Sequence, residues 1–197
     1  MSIVLASASK SRAHLLQVAG VNFQIEPAQI DEDEIKRRTL GRGAPAAAVA
    51  LELAARKACA VSTNHPGDVV IGGDQILWFE GELISKCANL EEARTLLSRL
   101  KGRRHSLVGG LTLARNGTVD WRHSSRVEMT IRSFSEAFLD GYLRREGRAA
   151  LDSVGAYRLE GEGIQLIESI EGSYFSVLGL DLLPLLAALR AAGAIPG

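Results

Sequence analysis

The sequence predicts an α/β protein with a mixed central sheet and flanking helices, and three observations carry that expectation. Short apolar or alternating runs recur between segments of helical periodicity. Asn116-Gly117 joins two apolar runs as a hairpin turn, which requires an antiparallel pair. Gly20 and Gly102 stand just beyond helical segments, where a chain leaves a helix most readily. Alternating strands and helices with at least one hairpin give an α/β class and a sheet that is neither all parallel nor all antiparallel.

Each element follows from local pattern. Ile3 to Ala6 is a short apolar strand, and Leu15, Leu16, Val18 and Ala19 suit one face of a helix ending at Gly20. Phe23 to Glu26 reads as a second strand. The charged run Asp31 to Arg38 falls on an exposed turn or short helix. Pro45 suits the first position of an Ala-rich helix reaching Val61, where its missing N–H is not needed. Val69 to Ile71 is a β-branched strand leading into Gly72-Gly73-Asp74, and Ile76 to Phe79 resumes an extended pattern before the Glu80-Gly81 turn.

Asn89 followed by Glu92 marks a helix start, with Leu96, Leu97 and Leu100 on the inner side. Leu107 to Ala114 and Thr118 to Trp121 form the hairpin, and Val127, Met129 and Ile131 alternate as a separate half-buried strand. Ser133 and Glu136 cap a helix carrying Phe138, Leu139 and Tyr142. Ile164 to Ile170 reads as a strand and Leu182 to Leu189 as the last helix. No repeat, low-complexity tract or linker interrupts the chain, so residues 1–197 are expected to form a single domain.

Composition narrows the function. The 197 residues are 46% hydrophobic and carry 23 basic and 23 acidic side chains, a formal charge of zero. Nothing in that balance draws the chain to nucleic acid or an anionic membrane, so neither is expected as a partner. No stretch reaches the roughly 18 uninterrupted apolar residues of a membrane span; Val177 to Leu189 comes nearest but contains Asp181 and Pro184. Cys59 and Cys87 lack metal-site spacing, which fits a reducing, cytoplasmic setting.

The chemistry concentrates in a few segments. Ser7-Ala8-Ser9-Lys10-Ser11-Arg12 lies between a strand and a helix. Hydroxyls, free N–H groups, the positive helix end and two basic side chains therefore converge on a place suited to phosphate. The bland alternative is that Ser9 or Ser11 only caps the helix. Asp74 ends a run too apolar for a surface loop, and a carboxylate there is costly unless it binds metal, meets a cation or moves a proton. Lys57, in an Ala-rich helix, and Lys86, after an apolar stretch, can each reach an anion, although isolated lysines are usually solvated. Asp31-Glu32-Asp33-Glu34 offers hard oxygen ligands for magnesium or manganese, with an exposed helix start as the plainer use of most of it. There is no P-loop and no nucleophile elbow. Gly41 to Ala46 fits GxGxxA in letters but follows a charged segment instead of a strand.

In order and spacing, these pieces resemble the Maf family of nucleotide pyrophosphatases. The resemblance rests on LASASKSRAHLL, Asp31-Glu32, LELAARKA, VVIGGDQI, ISK and SVGAYRLEGEGIQLIESIEGSYFSVLGLDL, which together span nearly the whole chain. It implies two α/β lobes around a deep cleft, a relation to the inosine triphosphate pyrophosphatase fold, and often a homodimer. By position it makes Asp74 the general base and gives Arg12, Lys57 and Lys86 to the triphosphate. Glu32 falls near the phosphates and, with Asp74, the divalent metal (Mg2+ or Mn2+). Ser11, Gln75 and Glu160 are linked to base selection. The implied reaction cuts a nucleoside triphosphate to monophosphate and pyrophosphate, with a suggested link to arrest of cell division.

Three departures bear on the substrate. Lys10-Ser11 stands where the family carries Pro-Arg. Gln75 and Glu160 depart from the pyrimidine-nucleotide pattern toward the branch acting on 7-methyl-GTP, yet Ser11 stands where that branch has Trp, which leaves the base open. A non-hydrolysing nucleotide sensor is the main rival from another class.

Overall fold

A computed structural model describes residues 1–197. In chain order the elements are β1 (Ile3–Leu5), α1 (Lys10–Val18), β2 (Gln24–Ile25), α2 (Glu32–Leu40), α3 (Ala46–Ser62), β3 (Val69–Phe79), β4 (Glu82–Ile84), α4 (Leu90–Leu100), β5 (Arg104–Arg115), β6 (Thr118–Ile131), α5 (Glu136–Glu146), β7 (Ile167–Glu171), α6 (Tyr174–Val177) and α7 (Leu182–Ala191). Two 3-10 turns, Gly147–Asp152 and Glu162–Leu166, precede β7.

The strands run β2-β1-β3-β5-β6-β7, and β4 pairs with β3. β1 is parallel to both β2 and β3, whereas β3 with β4 and β6 with β7 are antiparallel. The sheet is therefore mixed, as expected. Asn116 and Gly117 both have positive φ at the β5–β6 turn, the backbone a two-residue hairpin demands.

Four local expectations change. β3 runs unbroken through Gly72-Gly73-Asp74 where two strands were expected: β1 pairs with Val69–Ile71, β4 with Leu77–Phe79, and β5 is the neighbour on the other side, a sheet environment that outweighs the poor strand propensity of glycine and aspartate. β6 continues through the polar run Arg122 to Arg126 to Ile131, joining the hairpin arm to the expected separate strand. The first half of the expected Ile164–Ile170 strand is a 3-10 turn, and Gly163 packs where a Cβ would meet Arg158 N at 2.4 Å. Ser135, not Ser133, caps α5, accepting from Phe138 N at 3.2 Å.

The chain divides into two compact units: Met1–Gln75, Val108–Ser125 and Ser173–Gly197 form the first, and Ile76–Leu107 with Arg126–Gly172 the second. In the first, Leu5, Leu16, Ile71, Leu113, Leu180 and Leu189 belong to one buried cluster. In the second, Leu97, Leu100, Met129, Ile131, Leu139 and Tyr142 are fully buried. No helix is long and apolar enough to cross a membrane.

Candidate functional site

Two glycines decide where α3 lies. A Cβ on Gly72 of β3 would come within 2.1 Å of Ala54 O, and one on Gly110 of β5 within 2.4 Å of Ala50 O. Only glycine permits such backbone approach, so the Ala50, Ala54 and Ala58 side of α3 seats directly on these strands. Lys57, next to Ala58, is carried into the core with its aliphatic stem buried. It is 8% exposed and Asp74 is 7% exposed. Lys57 Nζ donates to Asp74 Oδ1 at 2.6 Å.

The same ammonium lies 2.7 Å from Glu32 Oε1. Asp31 caps α2 by accepting from Glu34 N at 2.9 Å, and Glu32, Asp33 and Glu34 fill the first turn, where the helix dipole favours carboxylates. Of that acidic run, Glu32 is the member that reaches Lys57. Burial pushes the Glu32 carboxyl up. The hydrogen bond and charge of Lys57, with the charges of Lys36 and Arg12, outweigh burial and hold the group below its ordinary value.

The first turn of α1 supplies the second cation. Ser9 is the N-cap, accepting from Arg12 N at 3.4 Å. The buried Ser7 hydroxyl accepts from Ser9 N at 3.2 Å and from Arg12 Nη1 at 3.0 Å. Arg12 Nε donates to Gly179 O at 3.0 Å. Desolvation lowers the Arg12 pKa, and the charges of Asp74 and Glu32 act against that shift. Capping and ligand binding are therefore compatible uses of one turn: Ser9 caps, while Ser7 orients Arg12. Ser11 is half-buried on that turn and Lys10 is exposed.

The structure thus gathers Ser7, Ser9, Arg12, Glu32, Lys57 and Asp74 within the first unit. Gln75 belongs there too, its amide nitrogen donating to Ser176 O at 2.6 Å and Val177 O at 3.3 Å. Lys86, after β4, and Glu160, 3.8 Å from Arg158 Nε, are exposed residues of the second unit. Gly72 and Gly179 were not singled out from sequence for the roles they play. Their signal lies in what a Cβ would strike, which only the packing reveals.

Glu32 and Asp74 each place an oxygen against one cationic atom, so the pair converges as two ligands of a hard cation would. No third His, Cys, Asp or Glu joins them. Two carboxylates suit magnesium or manganese, which draw their remaining ligands from water and phosphate oxygens, and do not suit a zinc cage. Arg12, Lys57, Glu32 and Asp74 sum to zero charge. The arrangement can orient a water, move a proton onto a carboxylate and meet an anionic group with a guanidinium.

Comparison with known proteins places the chain among relatives. The family model described as Maf-like protein matches residues 2–192. A nucleoside triphosphate pyrophosphatase of Granulibacter bethesdensis is 47% identical over 190 residues, covering 96% of each chain. A 7-methyl-GTP pyrophosphatase of Rhizobium meliloti is 47% identical over 193 residues, covering 98% of this chain and 97% of its own. A nucleoside triphosphate pyrophosphatase of Caulobacter vibrioides is 44% identical over 193 residues, covering 98% and 96%. The solved structure of a nucleoside-triphosphatase / dITP/XTP pyrophosphatase from Mycobacterium abscessus aligns over 100% of this chain and 98% of its own at 16% identity. Its TM-score of 0.43 is too low to bear on function.

Proposed function

This chain belongs to the Maf family, and from that premise we propose that it is a metal-dependent nucleoside triphosphate pyrophosphatase with Asp74 as general base. The observation that carries the reading is a single buried ammonium, Lys57, held between the carboxylates of Asp74 and Glu32. Lys57 engages Asp74 Oδ1 and fixes the carboxylate, which leaves Oδ2 to accept a proton from water.

That water attacks the α-phosphorus. The bond from the α-phosphorus to the bridging oxygen breaks, pyrophosphate leaves with the bonding pair, and the monophosphate keeps the new oxygen. No covalent intermediate on the protein is required. Arg12, oriented by Ser7 and Gly179, meets a phosphate oxygen with its remaining N–H groups. A triphosphate brings about four negative charges to residues that sum to none, so a further cation is in proportion. Glu32 and Asp74 would hold magnesium or manganese, and the ion would supply charge neutralisation to the triphosphate.

Lys86 is assigned to phosphate binding in this proposal, and Ser11, Gln75 and Glu160 to selection of the base. Selectivity for 7-methyl-GTP is favoured by Glu160, an exposed carboxylate opposite in charge to a methylated, cationic purine. Action in the cytoplasm on non-standard nucleotides, as a homodimer, completes the proposal; free Cys59 and Cys87 suit that compartment.

The test is product identity. Purified protein with magnesium or manganese should release pyrophosphate, not orthophosphate, from at least one of dTTP, UTP and 7-methyl-GTP, and a chelator should abolish release. Tight binding without turnover would favour the sensor.

A further inference from the structure

Short helices leave their last carbonyls without partners of their own. In α6, capped at its start by Ser173, those carbonyls and the next ones along the chain are met from two directions. Gln75 of β3 donates to Ser176 O and Val177 O, and Arg12 of α1 donates through Nε to Gly179 O. Gly179 N in turn donates to Ser176 O at 3.1 Å. Leu180, fully buried, pins the far end of the segment in the core.

Gly179 has φ +97°, a backbone that residues with a Cβ rarely adopt, and a Cβ there would stand 3.2 Å from Arg12 Nε and 3.6 Å from Arg12 Cγ. The arginine therefore lies flat against a glycine with one donor committed to that glycine's carbonyl. With Nε on Gly179 O and Nη1 on Ser7 Oγ, the guanidinium is turned so that its outer edge carries the remaining donors.

We propose that segment 176–179 is a backbone cradle that sets the orientation of Arg12, and that Gly179 and Gln75 are positioning residues for the phosphate-binding guanidinium. Neither need touch substrate. Gln75, at a position linked by resemblance to base selection, spends its amide nitrogen holding the segment on which Arg12 leans. The phosphate half of this inference rests on the function proposed above; the cradle itself does not.

Two measurements separate them. In nucleotide-free protein, the Nε–H resonance assigned by its loss in Arg12→Lys should exchange slowly with water. Gln75→Glu, which sets a carboxylate against two carbonyls, or the isosteric Gln75→Met should speed that exchange by about tenfold or more. A folded variant of either kind with unchanged Arg12 exchange would overturn the cradle. Inorganic tripolyphosphate is the second probe. Arg12→Lys and Gly179→Ala should each weaken its binding about tenfold, and the double variant should bind no worse than Arg12→Lys alone, because both act through one side chain. Fully additive losses would contradict positioning through Arg12. Slow exchange coupled to Gln75 in a protein that binds no tripolyphosphate would uphold the cradle and overturn the function instead.

Discussion

Lys57 on α3 and Asp74 on β3 meet at 2.6 Å, both nearly withdrawn from solvent, because Gly72, two residues before Asp74, lets the helix backbone rest on the strand. The pair is a product of packing before it is a product of charge.

Gly72→Ala should therefore damage both stability and site. Its new methyl would stand 2.1 Å from Ala54 O and 2.9 Å from Ala58 N, so α3 must retreat. Overpacking of this kind costs about 1–3 kcal/mol, which for a domain of this size lowers the melting temperature by several degrees. Gly73→Ala is the control, since its methyl would meet neighbours only at 3.4 Å. Equal melting temperatures for the two variants would show that α3 does not rest on Gly72.

Removing one partner of the buried pair should cost more than removing both. Lys57→Met takes away the ammonium that the buried Asp74 carboxylate shares with Glu32, leaving two carboxylates without their common cation, with a loss of about 3 kcal/mol, whereas Lys57→Met combined with Asp74→Asn should recover a large part of it. Denaturant unfolding of the four proteins closes the cycle. Simple additivity would mean that the two groups do not interact in the folded state.

Acid should unfold the protein by a route unrelated to the site. His105 is 2% exposed and its Nε2 lies 2.5 Å from the buried Tyr157 hydroxyl, while Nδ1 has no partner. Burial pushes His105 down from 6.5 to about 4, against a smaller opposing effect of Glu128. The unfolded chain thus takes up a proton at this residue first. Stability is untouched by it above pH 6.5, falls as pH drops from 6.5 toward 4, and levels off below. The slope in that window approaches about 1.4 kcal/mol per pH unit. Glu32, whose pKa is lowered, contributes stability that is lost only at lower pH, beneath 4.5. Unfolding free energies from pH 7.5 to 4.5 should show this slope in the native sequence and a shallower one in His105→Gln; matching slopes would contradict a neutral, buried His105.

Much of this was legible in the sequence, for physical reasons that differ by residue. Asp74 declared itself because an apolar strand rarely delivers a carboxylate without a partner for it, here Lys57, and the turn from Ser7 to Arg12 because hydroxyls and cations opened a helix, where Ser9 caps and Ser7 meets Arg12. Asn116-Gly117 fixed the hairpin by backbone chemistry alone. What stayed hidden depends on contacts far apart in the chain. Gly72 and Gly110 look like strand breakers until Ala54 and Ala50 are seen against them. Residues 122–126 of β6 lack apolar alternation, and only their place beside β5 keeps them extended. Arg12 and Gly179 are 167 residues apart, so nothing local announces that one orients the other.

The proposed role of the Asp74 carboxylate as proton acceptor is tested most directly by the turnover of Asp74→Asn. Asparagine keeps the shape and can still meet Lys57 through its carbonyl oxygen, but it cannot take a proton. Pyrophosphate release from the best substrate, measured with saturating magnesium or manganese, should fall roughly a hundredfold to ten-thousandfold while nucleotide affinity stays near normal or improves. A folded Asp74→Asn protein that turns over at close to the native rate would contradict the mechanism.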